Sequence, residues 1–154
     1  MLKKYFPEFK NAELLFTAAQ TGVRETRHIK GEHVLTGEEY LNAVHFEDAV
    51  SRGAHPIDIH TAGDTTQKCQ FLKNAAYIPY RSLIVPGFDN LLVAGRCFSA
   101  DQVASASVRV QASVMGLGQA AGCAAAQCAC AGTSVHKADV PTLQAMLRKW
   151  GALI

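Results

Sequence analysis

The amino-acid sequence predicts an α/β fold, and three observations support it. The apolar run "NLLVAG" (residues 90–95) lacks polar alternation, as expected of a strand buried on both faces. Segment 105–132 repeats apolar residues at steps of three and four, which is the period of one helix face. The chain has 154 residues, of which 49% are apolar and 18% charged, enough for one domain with a core.

The first half of the chain predicts short strands and one short helix. β-favouring stretches between Ala12 and Gly31 predict two strands. Thr36 is placed to cap a short helix that carries two glutamates in its first turn. The alternating run "PIDIH" (residues 56–60) predicts another strand, and the polar segment 64–74 predicts a loop.

The second half predicts a turn followed by two helices. Residues 76–85 and the "NLLVAG" run flank Pro86-Gly87, a natural centre for a tight turn. The first predicted helix, 105–132, has Ser105 and Ser107 as candidate N-caps and Gly132 as its C-terminal stop. Its predicted apolar stripe consists of Val110, Val114, Leu117, Ala121, Ala125 and Cys128.

The last segment, residues 138–154, predicts an amphipathic helix. Asp139 is its N-cap, Pro141 lies in its first turn, and Gly151 ends it. The predicted apolar stripe consists of Leu143, Met146, Leu147 and Trp150.

Three glycines in the long helix suggest a dinucleotide-binding fingerprint. Gly116, Gly118 and Gly122 give the spacing G-x-G-x-x-x-G. A fingerprint must lie in the turn between a strand and a helix, whereas these glycines are predicted to lie inside a helix. Since glycine costs a helix about 1 kcal/mol relative to alanine, we interpret all three as sites of close backbone approach.

The start of that helix has two readings. The first N–H groups of a helix lack internal partners and carry partial positive charge, so they favour an anion. The alternative is an ordinary strand–loop–helix connection that its own serines cap. The residues alone leave both readings open.

Composition excludes several functional classes. A net charge of +2 is too small to indicate binding to nucleic acid or to an anionic membrane. The first residues have no apolar segment of the signal-peptide kind. Polar residues interrupt the small-residue helix, so we do not expect it to span a membrane. The five cysteines lack metal or disulfide spacing and are interpreted as reduced thiols of a cytoplasmic protein.

Two polar groups have competing interpretations. His55, Asp58 and His60 are close in sequence, but the pattern is more typical of a strand edge with polar ends, and we predict no metal site. Three further arginines fall on predicted strands. They either hold an anionic substrate or cofactor, or form internal ion pairs with carboxylates, and the sequence does not decide between these. These arginines are Arg24, Arg27 and Arg81.

Six segments of the sequence resemble a known family. The segments "GVRETRHIKGEHVLTGEEY", "PIDIH", "YIPYRSLIVPGFDNLLVAGRCFSA", "ASVRV", "LGQAAGCAAA" and "DVPTLQAMLRKWGALI" occur in order over nearly the whole chain. Together they resemble the C-terminal blocks of FAD-dependent oxidoreductases with a glutathione-reductase-like flavin domain.

The resemblance implies a division of the chain and a cofactor site. Residues 1–89 would be part of the substrate-domain sheet, 90–132 the final strand and helix of a Rossmann-like flavin domain, and 133–154 the C-terminal helix. The helix N-terminus would face the pyrimidine edge of the isoalloxazine ring. The implied FAD-binding residues are Gly95, Arg96, Asp101, Ser107, Val108 and Arg109.

Two departures from the family pattern shape the functional expectation. Many relatives carry histidine where this chain has Asp101. The opening strand–GxGxxG–helix unit, which holds the ADP half of FAD in the family, is not found in this sequence. We therefore expect the C-terminal part of a larger FAD-dependent oxidoreductase, inactive and without flavin on its own, whose partner is the N-terminal part of the same protein. The alternative is a non-catalytic α/β module that associates into homo-oligomers.

Overall fold

The computed structural model describes residues 2–59 and 68–154, and combines helices with two small antiparallel sheets. The helices are α1 (Leu2–Tyr5), α2 (Gly37–Leu41), α3 (Gln102–Val108), α4 (Gln111–Ala131) and α5 (Val140–Lys149). The strands are β1 (Ala49–Gly53), β2 (Ile57–Ile59), β3 (Lys68–Gln70) and β4 (Ala76–Pro79). This mixture is consistent with the predicted α/β class, whereas the Rossmann-like detail and the domain boundaries remain predictions.

Each sheet consists of one antiparallel pair. β1 pairs with β4, with Ser51 opposite Ile78, and the register shifts between Ala49 and Ser51. β2 pairs with β3. The strand predicted from "PIDIH" is confirmed at Ile57–Ile59, while His60 lies outside the described residues.

Helices cover both pairs of strands and enclose the core. α4 packs on β1 and α5, and α3 packs on β2 and α2. The junction between α3 and α4 therefore lies beside both sheets. The largest fully buried side chains include those of Leu35, Tyr40, Ile78, Phe98, Leu117, Leu143 and Leu147.

Three of the predicted helix caps are confirmed. Thr36 and Glu39 form a reciprocal capping box at the start of α2. Asp139 accepts a hydrogen bond from the Thr142 backbone N–H at the start of α5. Gly132 ends α4 with a left-handed φ of +61°.

The predicted stripe of α5 is only partly correct. Leu143 and Leu147 are fully buried, whereas Trp150 is 60% exposed and lies outside the apolar contact. Trp150 follows the last helical residue as the C-cap, so its side chain no longer continues the helical face.

The prediction of a strand at residues 90–95 is wrong, because the structure describes all six residues and assigns none of them to a strand. Leu92 makes one isolated antiparallel bridge with Ile84, and the Val93 N–H donates to the Leu83 carbonyl at 2.8 Å. Leu91 is exposed and the next four residues are only half-buried. A strand buried on both faces needs a ladder and cover on each side, and the described part of the chain supplies neither here.

The two strands predicted between Ala12 and Gly31 do not form either. The segment is irregular, and the Ile29 N–H donates to the Cys97 carbonyl at 2.9 Å. Three consecutive large apolar side chains in this segment are more than 80% exposed. They belong to Leu14, Leu15 and Phe16.

The single helix predicted over 105–132 is two helices. α3 starts earlier, where Asp101 caps it, so Ser105 and Ser107 are buried helical residues and not N-caps. Val110 interrupts the helices with an extended backbone, φ −70° and ψ 153°. The prediction of one continuous helix with Ser105 or Ser107 as its N-cap is therefore wrong.

Only one of the three α4 glycines lies close to another element. A Cβ on Gly116 would lie 2.6 Å from the Ser51 Oγ on β1, whereas a Cβ on Gly118 or Gly122 would meet no other element of the described chain within 4 Å. A neighbouring element therefore approaches Gly116 through a side chain and not through the predicted backbone, and the prediction is wrong for the other two glycines. In the predicted stripe, Leu117 and Cys128 are buried but Ala125 is exposed.

α4 also leaves much of its surface uncovered. The helix is long and apolar enough to cross a membrane by length and composition alone, and 22% of its most apolar 18-residue stretch is buried. Its opposite side packs on β1 and α5. The predicted absence of a membrane span is not tested by this finding.

Candidate functional site

The candidate site is a cleft lined by arginines from three parts of the chain. Its parts are cavities of about 340, 540 and 270 Å³, and Arg24 lines all three. The two larger volumes lie in the general range of small-molecule sites, about 300–1,000 Å³, and the smallest lies just below it. We call it the arginine cleft, and its cationic members are Arg24, Arg27, Arg96 and Arg109.

Backbone contacts bring these separated segments together. The Ile29 N–H donates to the Cys97 carbonyl, and the Arg96 side chain donates to the Val23 carbonyl. Both contacts hold residues 23–29 against the loop before α3. Gly95 supplies the turn of that loop, since its φ of +96° is a conformation that favours glycine.

Arg109 is the most buried arginine of the cleft. Its side chain is 14% exposed and contacts the Glu25 carboxylate at 3.5 Å. It also donates to the Asp58 carbonyl at 3.3 Å. Glu25 is held in turn by the His28 Nε2 at 3.1 Å, and the His28 Nδ1 contacts the Phe98 carbonyl. This chain of contacts fixes Arg109 at the end of α3.

The start of α3 is not available for an anion. One oxygen of the Asp101 carboxylate accepts from the Ala104 N–H and the other from the Gly37 N–H, each at 2.8 Å. The helix has only seven residues, and its positive end is already satisfied by a carboxylate from the chain itself.

The start of α4 is different, because no side chain among the described residues caps it. Val110, its N-cap residue, lines the 270 Å³ part of the arginine cleft together with Arg24, Arg96 and Arg109. The first N–H groups of this 21-residue helix lack internal partners and carry partial positive charge. The N-cap residue of a long helix and three arginines therefore line one cavity.

The structure brings together only some of the predicted FAD-binding residues. Arg96 and Arg109 line the arginine cleft, and Gly95 adjoins Arg96. Ser107 and Val108 are fully buried. The Ser107 hydroxyl donates to the Tyr40 hydroxyl at 2.9 Å and also contacts the His55 carbonyl.

Burial governs the Tyr40 hydroxyl. Desolvation raises the Tyr40 pKa above its ordinary value, although the hydrogen bond from Ser107 lowers it. The phenol thus stays protonated, and we interpret the Tyr40–Ser107 contact as support behind the cleft.

Arg24, Arg27 and Arg81, which had competing interpretations, differ in whether they form an ion pair. Arg81 forms a bidentate ion pair with Asp48, with distances of 2.9 and 3.2 Å, and this contact raises the Arg81 pKa. Within residues 2–59 and 68–154, Arg24 and Arg27 form neither an ion pair nor a hydrogen bond. The ion-pair interpretation is therefore confirmed for Arg81 alone.

Sequence reasoning missed two features of the cleft. The helix start at Val110 carries no glycine, proline or polar cap that would signal it. Asp58 and Gln102 line the 340 Å³ cavity beside Arg109, and no local pattern relates residues so far apart. Within the described ranges, no group of three or more metal-ligating side chains occurs.

Comparison with known proteins identifies the family. Searches against curated proteins and against solved structures gave no significant match. The family model described as FAD dependent oxidoreductase matches residues 1–147, nearly the whole chain. The cofactor of that family is FAD, as its name states. The chain belongs to the FAD-dependent oxidoreductase family.

Proposed function

We propose that this chain forms the isoalloxazine side of the flavin site in an FAD-dependent oxidoreductase. The observation that carries the proposal is the uncapped start of α4, whose N-cap residue Val110 lines the arginine cleft. When bound, FAD supplies the hydride or electron chemistry. The protein contributes orientation and a positive environment for the negative charge that reduction places on the ring.

The residues present fit this cofactor. Val110, the N-cap residue of α4, and Arg109 line one cavity, and a positive helix end beside a guanidinium favours an anionic ring edge. The left-handed turn at Gly95 leaves free space where a side chain would otherwise project. Among the six predicted contacts, we assign direct roles to Gly95, Arg96 and Arg109. Asp101, Ser107 and Val108 act through the position of α3.

We further propose that other residues hold the ADP half of FAD. The sequence contains no G-x-G-x-x-G motif at a strand-to-helix turn, and its glycine cluster lies inside α4. By the family resemblance, the N-terminal part of the same protein supplies that unit. Alone, this chain would then be inactive and would hold no flavin.

The exposed surface supports a missing cover. It includes the exposed Leu14, Leu15 and Phe16 side chains and part of α4. Patches of this kind mark protein contacts.

Self-association is the second candidate function, and the same exposed surface favours it.

We propose a cytoplasmic location, because all five thiols are free and reducing compartments favour free thiols. Flotation with vesicles tests whether lipid, rather than protein, covers α4. Flotation of the purified chain would contradict a cytoplasmic protein cover.

Flavin content tests the first candidate. We expect the purified chain to be colourless, and we expect coexpression with an N-terminal segment that carries the G-x-G-x-x-G unit to yield a yellow complex. Stoichiometric FAD in the chain alone would contradict our assignment of the ADP half. A colourless chain that forms a defined oligomer and rejects the N-terminal segment would favour self-association.

A charge at the start of α4 tests the flavin assignment more directly. In the yellow complex, Gln111→Glu places a carboxylate in the first turn, where it stabilises the helix but opposes charge on the reduced ring. We expect a lower flavin reduction potential with unchanged or higher thermal stability. Gln119→Glu, about 12 Å further along the axis, is the control. Equal potentials in both variants would refute the proposed position of the ring.

A further inference from the structure

The largest cavity of the arginine cleft has cationic groups without anionic partners. Arg24, Arg27 and Arg96 line this 540 Å³ space. Arg24 and Arg27 form no hydrogen bond or ion pair within the described residues, and Arg96 contacts the Val23 carbonyl, which carries no net charge.

One carboxylate lines the same cavity, but its contacts are to other side chains. Glu25 contacts the His28 Nε2 at 3.1 Å and Arg109 at 3.5 Å. Its charge is therefore shared with groups outside the set of Arg24, Arg27 and Arg96. By contrast, Arg81, outside this cavity, has a dedicated bidentate partner in Asp48.

Three exposed guanidinium groups line one space, and an anion between them would offset their mutual repulsion. Each guanidinium presents a planar fork of donors that matches the two oxygens of a carboxylate or a phosphate. Because the donors belong to three separate guanidinium groups, the site suits a ligand with more than one oxyanion group. The cavity volume lies within the range of small-molecule sites.

We propose that Arg24, Arg27 and Arg96 bind the carboxylate groups of a small anionic substrate that carries at least two of them. This inference rests on the proposed function, because the neighbouring cavity at Val110 is the one assigned to the flavin ring. The substrate's anionic end would then lie beside the ring, in a cavity that shares Arg24 and Arg96 with the ring cavity.

The same oxyanion chemistry could come from the pyrophosphate of FAD. We assign the site to substrate because the ADP half belongs to a G-x-G-x-x-G unit that this sequence lacks. The experiment separates the two sources by comparing malonate, succinate and tricarballylate with inorganic pyrophosphate at equal ionic strength.

Isothermal titration of the purified chain, without flavin, measures this binding. We expect a dicarboxylate or tricarballylate to bind more tightly than pyrophosphate. Arg24→Gln and Arg27→Gln should each weaken binding about tenfold, as expected for the loss of one charge-assisted pair. Arg148→Gln removes an exposed arginine near the end of α5 and should change affinity less than about twofold.

Thermal unfolding of each variant confirms that the fold is intact, which we expect because Arg24, Arg27 and Arg148 are all exposed. Tighter binding of pyrophosphate would overturn the proposal and assign the site to phosphate. Equal loss in all three variants, or no carboxylate binding at low salt, would also overturn it. Flavin content of the coexpressed complex is measured separately, so a colourless complex would count against the proposed function alone.

Discussion

Substitution of Asp101 by alanine separates a structural role from a cofactor contact. In the structure this carboxylate joins two helices, since it caps α3 through the Ala104 N–H and accepts from the Gly37 N–H at the start of α2. Both distances are 2.8 Å. We therefore expect Asp101→Ala to lower the free energy of unfolding.

The magnitude follows from the two lost contacts. Loss of an N-cap costs about 1 kcal/mol. The Gly37 N–H belongs to a buried residue, and a buried donor left without its partner costs about 1–3 kcal/mol. The sum is about 2–4 kcal/mol. For a chain of this length, each kcal/mol corresponds to about 2–4 °C in Tm, so we expect a fall of about 5–15 °C.

Urea unfolding followed by circular dichroism measures this loss. Asp101→Asn is the matched control: its amide keeps one acceptor oxygen and should therefore lose about half as much stability. A loss below about 0.5 kcal/mol in the alanine variant would refute the two-contact reasoning. Normal stability combined with loss of flavin from the coexpressed complex would instead favour a direct cofactor contact for Asp101.

Three further predictions follow from local contacts. Gly118→Ala should raise the free energy of unfolding by about 1 kcal/mol in the same urea assay, because its Cβ would meet open space; a loss would indicate a hidden contact. The hydrogen bond to Glu32 raises the His136 pKa above 6.5. Wild type should thus lose stability relative to His136→Gln as pH rises from 6.5 through that raised pKa, and a pH-independent difference from pH 5 to 9 would contradict this. A thiol reagent should label three exposed cysteines first and two buried cysteines, whose pKa burial raises, only on unfolding; uniform labelling would refute the packing. The exposed thiols are Cys69, Cys97 and Cys130, and the buried ones are Cys123 and Cys128.

Features that depend on one turn of backbone were predictable from the sequence. The Thr36 and Asp139 caps and the Gly132 stop are set by residues within four positions of each other. Short-range chemistry of this kind is visible in the sequence letters, and the structure confirms it at all three sites.

Features that need a distant partner were not predictable. The strands expected before Gly31 and at residues 90–95 have the right composition, but strand formation requires a neighbouring ladder. The helix break at Val110 carries no local signal. It coincides with the buried Val108 and with the contact between Arg109 and Glu25, so tertiary packing determines where the helix is interrupted.

The same reasoning explains how much of the site could be found. Arg96 and Arg109 were predicted through the family resemblance, and both line the cleft. Arg24 and Arg27 were noticed as unassigned charges, but only the structure distinguishes them from the paired Arg81. An ion pair between residues 33 positions apart has no signature in either local segment.

The exposed surface and the unpaired arginines lead to a final prediction, because one event would change both. In the isolated chain Arg24 and Arg27 are exposed to water, where a charge pair at 4 Å is worth about 1 kcal/mol; at an effective dielectric constant of about 20 the same pair is worth about 4 kcal/mol. Desolvation offsets part of that gain. If the N-terminal part covers the arginine cleft, malonate should bind the assembled complex about tenfold more tightly than the chain alone. Titration of both forms at one ionic strength measures the difference. Equal affinity would show that assembly leaves these guanidinium groups in water, and the cover would then have to lie over another face.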